Sequence, residues 1–195
     1  MLQIGTASAC AIEMKQSEIP ASTSSRIQSA PGDRALSRHI SMKYRSPNQE
    51  NDWNFYVPDC PVSAACLSQI HPLTEASANE LWREFISSDI FHPMQLSGDF
   101  WPTDSGIFAR WDDDWHDDSS TAFVSWLRAA LPWPDATPII FTWSASSSVE
   151  TSWAVFCECW RNFLFDDEGP LLWSLEQAQA VQFSPQGLAY LCRRA

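Results

Sequence analysis

All eleven Trp and all eleven Phe of this 195-residue chain lie at or after Trp53, and the first 41 residues contain no aromatic side chain. That segregation limits what the chain can fold into, because large aromatics dominate the surface a core can bury. Each removes about 150–250 Å² from water, roughly 4–6 kcal/mol gross at about 25 cal/mol/Å². The first 41 residues instead carry ten Ser or Thr and a net charge of +1. A stretch such as SEIPASTSSRIQSAPGDRALSR buries too little apolar surface to offset about 1–2 kcal/mol per ordered residue. Residues 1–45 are therefore expected to be a disordered tail, or an over-extended gene start upstream of Met42. Residues 46–195 are expected to form a single acidic, Trp-rich domain. From Met42 onward the chain holds eight basic and 21 acidic residues, a net −13 against −12 for the whole.

This charge and patterning exclude several classes. A pI near 4.5 disfavours nucleic acid, since surplus carboxylates repel phosphates. No apolar run approaches the roughly 20 residues that span a bilayer, so no membrane association is expected. Six Cys, at 10, 60, 66, 157, 159 and 192, come without the basic n-region and apolar core of a secretory signal, which points to the reducing cytoplasm. Cys157 and Cys159 form C-x-C rather than C-x-x-C, with no second His/Cys pair at metal spacing. They read as packing residues, and neither structural zinc nor another cofactor is expected.

Apolar spacing places the elements. Trp53–Val57 reads as a short β-like run ended by Pro58, and Asp59 with Pro61 starts a brief helix towards Ile70. Thr74 caps a helix to about Ser88, with Ala78, Leu81, Trp82 and Phe85 as its apolar stripe. Residues 91–106 read as an irregular loop, Ile107–Trp111 as a strand, and about 120–131 as a helix entered through Asp118–Ser120. Pro138–Trp143 is the best central strand, being continuous, β-branched and aromatic. Val149, Trp153, Phe156, Trp160 and Phe163 recur at helical steps, with Ser147 and Glu150 as a capping box. Leu171–Trp173 reads as a strand, and Val181–Ser184 with Leu188–Cys192 as a hairpin. Together these give an α+β fold: a small antiparallel or mixed sheet with about three to four helices packed on one face.

Chemistry concentrates in two acidic runs. Trp111-Asp112-Asp113-Asp114-Trp115-His116-Asp117-Asp118 holds five Asp in eight residues. Hard cations take several carboxylate oxygens, so a divalent-metal site is one reading. EF-hand spacing fails, because His116, Asp117 and Phe123 occupy the fifth, sixth and twelfth places counted from Asp112. A second reading is a negative patch that docks a basic protein partner. The third is a solvated loop whose last Asp residues stabilise the next helix N-terminus. Asp166-Asp167-Glu168 precedes Gly169, a turn position suited to positive φ. The two runs form one electronegative face if they lie at the same end of the sheet.

Enzyme signatures are mostly absent, with no G-x-S-x-G, Walker A loop, G-x-G-x-x-G or H-E-x-x-H, while a Cys–His pair stays open because such partners need not be near in sequence. In Trp153-Ala-Val-Phe-Cys-Glu-Cys-Trp160-Arg-Asn-Phe-Leu-Phe-Asp-Asp-Glu-Gly-Pro170, in Val181-Gln-Phe-Ser-Pro-Gln-Gly187 and in Leu81-Trp82-Arg-Glu-Phe-Ile-Ser-Ser-Asp89, the sequence resembles small acidic bacterial families of unknown function. The aromatic helix, acidic turn and closing hairpin are also similar to features of immunity proteins that neutralise contact-dependent or polymorphic toxins. That resemblance implies a cytoplasmic, non-enzymatic domain that blocks a basic partner, and carries no known site residue. The expected function is an acidic protein-binding domain using Asp112–Asp118 and Asp166–Glu168. The alternative is a divalent-metal-dependent hydrolase built on Asp112–Asp118 with His116.

Overall fold

The computed structural model describes residues 41–96, 103–117, 120–165 and 169–193, without the side chains of 103–106, and among them seven strands and four α-helices. Asp118, Asp166, Asp167 and Glu168 lie outside the described residues. So does most of the segment expected to be a tail. Its last residues, however, are pinned: Thr74 N–H donates to Lys43 O at 2.9 Å, Arg45 N–H to Pro72 O at 2.9 Å, and Lys43 N–H to Ser77 Oγ at 2.9 Å.

The elements are α1 (Ala64–Leu67), β1 (His71–Pro72), α2 (Glu75–Phe85), β2 (Thr103–Arg110), α3 (Ala122–Ala130), β3 (Pro138–Ser144), β4 (Ser147–Ser152), α4 (Trp153–Phe163), β5 (Leu171–Trp173), β6 (Gln179–Ser184) and β7 (Leu188–Arg193). The strands form one sheet in the order β1-β4-β3-β5-β6-β7-β2, antiparallel at every pairing. The α+β class stands, with a larger sheet than the few strands expected. Pro138–Trp143 falls inside β3, between β4 and β5, as its continuous apolar character requires.

Alternation along the strands divides the core. Ile139, Phe141, Leu172, Val181, Phe183 and Ala189 face α3 and α4, whereas Ile140, Leu171, Trp173, Ala180 and Cys192 face α2. The expectation that all helices share one face is therefore corrected. Successive β-carbons point to opposite sides, and strands apolar at every position, such as β5, need a cover on both. Helix α2 supplies the second cover through Ala78, Leu81 and Trp82, the stripe read from its spacing. Thr74 caps it, its Oγ1 accepting from Ser77 N at 3.3 Å.

Other elements differ from expectation, strand β2 beginning at Thr103 inside the segment 91–106 read as a loop. Trp53–Tyr56 is a 3-10 helix, not a strand. Asp52, just before it, is buried and held by a two-pronged ion pair to Arg45 and by Asn48 N–H at 2.9 Å, and its carbonyl accepts from Phe55 N–H at 3.0 Å. Those bonds close a turn, and four aromatic-rich residues carry too little period to reveal it. Residues 147–152 are strand β4, and α4 begins only at Trp153. Thr151 and Val149 pair with Ile139 and Phe141, so β3 takes the residues of the supposed first turn. Ser152 is the cap instead, accepting from Val155 N at 3.3 Å, while Trp153 and Ala154 N–H reach Thr137 O and Asp135 O. The remaining apolar positions, Trp153, Phe156, Trp160 and Phe163, do form the buried face of α4.

Candidate functional site

The described part of the acidic run, residues 111–117, is a folded loop with Asp113, His116 and Asp117 exposed. Strand β2 ends at Arg110, Trp111 N–H donates to Gly187 O at 2.9 Å, and Asp112–Asp114 form a 3-10 turn. Arg161 of α4 holds the loop from below. Its guanidinium donates to three backbone carbonyls, Asp114 O at 2.7 Å, Asp117 O at 2.8 Å and Trp115 O at 3.1 Å, and lies 4.9 Å over the Trp160 ring.

The four described Asp are not equivalent. Asp114 points inward, 8% exposed, and its Oδ2 accepts from Phe123 N–H at 2.6 Å. It thereby caps α3 from nine residues away, where the adjacent Thr121 makes no side-chain cap bond. Asp112 Oδ2 and Asp113 Oδ1 both bind the Arg110 guanidinium, whose pKa is held above its usual value chiefly by the Asp112 hydrogen bond. Asp112 Oδ1 is buried and meets no hydrogen-bond partner. Asp117 and His116 are exposed. Among the described residues, the three ligand-bearing side chains close enough to share an ion are Cys66, Glu158 and Cys159, not the Asp residues of this loop.

The loop forms one wall of a cleft of about 610 Å³, within the roughly 300–1,000 Å³ of small-molecule and side-chain sites. Trp111, Asp112, Trp115, His116, Phe165 and Gln186 are among the residues that line it. Trp115 is the hinge of its aromatic lining, edge-on to Trp111 at 5.5 Å and to Trp160 at 5.8 Å, and tilted against Phe165 at 5.8 Å. Trp111 is 6% exposed, yet its Nε1 meets no acceptor. A buried donor and a buried carboxylate oxygen on consecutive residues thus lack partners at one cleft.

Gly187 makes this approach possible. It has φ of +76°, and a β-carbon there would collide with the Asp112 carboxyl. Gly169 takes φ of +77°, as expected for the turn after the second acidic run. Phe165, which directly precedes that run in sequence, lies against Trp115 and, at 5.3 Å, against Trp53, which is 47% exposed. Sequence reasoning selects the carboxylates and passes over Trp111, Phe165 and Arg161. Arg161 carried a faint signal, being one of only eight basic residues from Met42 onward and adjoining an aromatic stripe.

No helix among the described residues is long and apolar enough to cross a membrane. No curated protein and no solved structure matches the chain. Residues 45–191, which include the whole loop, the cleft and all four helices, match a family of proteins of unknown function, DUF2947. The chain belongs to that uncharacterised family.

Proposed function

We propose that this protein is a non-enzymatic cytoplasmic binding domain that receives a basic side chain of a protein partner in the Trp111–His116 cleft. An immunity-type inhibitor of a basic toxin is the specific form that fits this reading. The observation that carries it is the pair of unpartnered buried atoms, Trp111 Nε1 and Asp112 Oδ1. A buried polar atom without a partner costs about 1–3 kcal/mol, which a ligand supplying both complements recovers. A peptide segment does so: its backbone carbonyl accepts from the indole, and an Arg or Lys side chain donates to the carboxylate. The rings of Trp115 and Phe165 then offer faces for the cation, worth about 0.5–2 kcal/mol. The net charge of −13 beyond residue 41 steers a basic partner to it.

The hydrolase reading draws less support, since Asp112 and Asp113 already engage Arg110 and Asp114 serves α3. The test is a Trp-fluorescence titration with a capped Gly-Arg-Gly peptide at low salt, against capped Gly-Glu-Gly. Saturable binding of the Arg peptide is expected, weakened by salt and lost in Asp112→Asn and Trp115→Ala. No response, or an equal response to the Glu peptide, overturns the reading.

A further inference from the structure

The far side of α4 carries a different chemistry. Cys66 of α1 and Cys159 of α4 are buried, 4% and 7% exposed, while Glu158 beside them is exposed. One sulfur from each Cys and one Glu158 carboxylate oxygen all lie within 4.8 Å of one another. These residues come from elements about 90 positions apart in the chain. The backbone contributes: Ser63 Oγ accepts from Cys66 N–H at 3.2 Å, fixing the short helix, and α4 leaves helical geometry at Cys159, with φ of −113° and ψ of 19°. None of the three lines the Trp111–His116 cleft.

We propose that Cys66, Glu158 and Cys159 form a zinc site that ties α1 to α4. Two sulfurs and one carboxylate are a donor set for a borderline-soft, tetrahedral d¹⁰ cation rather than for calcium or magnesium. At a Zn–S distance of about 2.3 Å, tetrahedral ligands sit roughly 3.8 Å apart, so the present spacing needs only a contraction of about 1 Å or less. Two thiolates and one carboxylate balance a dication to within one charge. Exposed Glu158 opens the site to solvent, which gives the ion a path in. Burial, with Cys66 and Glu158 close by, holds the Cys159 thiol above its ordinary pKa, so metal binding at that sulfur releases its proton. A water molecule completes the fourth position. This assignment does not depend on the cleft or its partner. The C-x-C spacing of Cys157 and Cys159 gave no hint of it, because the second sulfur arrives from α1.

Cobalt(II) reports thiolate ligation directly, through a charge-transfer band in the near ultraviolet. The full chain, reduced and stripped of metal, is titrated with Co²⁺ and then with Zn²⁺. One Co²⁺ per chain with a thiolate band, displaced by Zn²⁺, is expected. Cys66→Ser and Cys159→Ser lose the band, whereas Cys192→Ser, on the opposite face of the sheet, keeps it. Because a buried Cys variant can fail to fold, Glu158→Gln at an exposed position is the second arm, with affinity lowered at least about tenfold. The proposal is overturned by the absence of a thiolate band in the reduced wild-type chain. Unchanged affinity in Glu158→Gln, or a band that persists in the folded Cys66→Ser/Cys159→Ser chain, overturns it equally.

Discussion

On the α2 face of the sheet, Trp82 and Trp173 are buried and both indole N–H groups find acceptors, Ile90 O and, at 3.1 Å, Thr142 Oγ1. On the α4 face, Trp143 and Trp133 likewise reach Phe163 O and Gln179 Oε1, but Trp111 Nε1, Trp153 Nε1, Thr151 Oγ1 and Asp112 Oδ1 meet no partner. The same strands build both faces, so the difference comes from what covers them. Helix α2 closes its side with Ala78, Leu81 and Trp82, whose indole N–H reaches Ile90 O. The α4 side is packed ring on ring, with Phe141 against Trp143, Phe156, Phe163 and Phe183. Rings fill volume efficiently but supply few acceptors. Trp153 is sealed in that core, 0% exposed, whereas Trp111 lines a cleft. Both unmet donors are a cost of packing, and they differ in that Trp111 belongs to the lining of a cleft.

Core truncations give the largest test of this contrast. Phe156→Ala should lose about 3–5 kcal/mol and Leu81→Ala about 2–4 kcal/mol, both read from urea unfolding. A larger loss at Leu81 would break the view that the α4 face holds the main core. Gly187→Ala should cost about 1–3 kcal/mol, from its positive φ and the Asp112 carboxylate in the way. It should also abolish Arg-peptide binding by displacing Asp112. Asp114→Ala should cost about 1–2 kcal/mol, seen as a lower urea midpoint, through the exposed first turn of α3.

Smaller and sharper is a pair of indole deletions. Trp111→Phe and Trp153→Phe each remove an unmet buried donor, so unfolding should show each within about 1 kcal/mol of wild type. Only Trp111→Phe should weaken the Arg peptide. Equal binding by both would leave the cleft without a role for its indole. The last test, by pH, belongs to the α2 face, where burial pushes the Cys192 thiol up to about 11 from 9.0. The folded state holds that proton more tightly than the unfolded chain. Its contribution is therefore full below about pH 9 and declines as pH rises towards about 11. Urea midpoints between about pH 8 and 11 should fall more steeply for wild type than for Cys192→Ala.

Much of the fold was legible locally. The stripe of α2, its Thr74 cap, strand β3 and the closing hairpin with Gly187 follow from periods of about 3.6 and 2 and from turn chemistry, which act within a few residues. The boundary at Ser152 was not, because residues 147–149 fit a helical step and were claimed by pairing with β3. At the candidate site, the sequence located the acidic loop but not the duties of its members. A run of Asp looks uniform on paper, yet Asp114 is turned inward by an open helix end and Asp112 and Asp113 are drawn to Arg110.

What the sequence determined by itself was where the core could be, since no aromatic precedes Tyr44, together with the stripe of α2, strand β3 and the closing hairpin. What only the tertiary structure decided was which face each helix covers, that Arg161 staples the loop, that Trp111 is left without an acceptor, and that Cys66 meets Cys159. These contacts join residues up to about a hundred positions apart. Separations of that length impose no period on the sequence, so only packing brings such partners together.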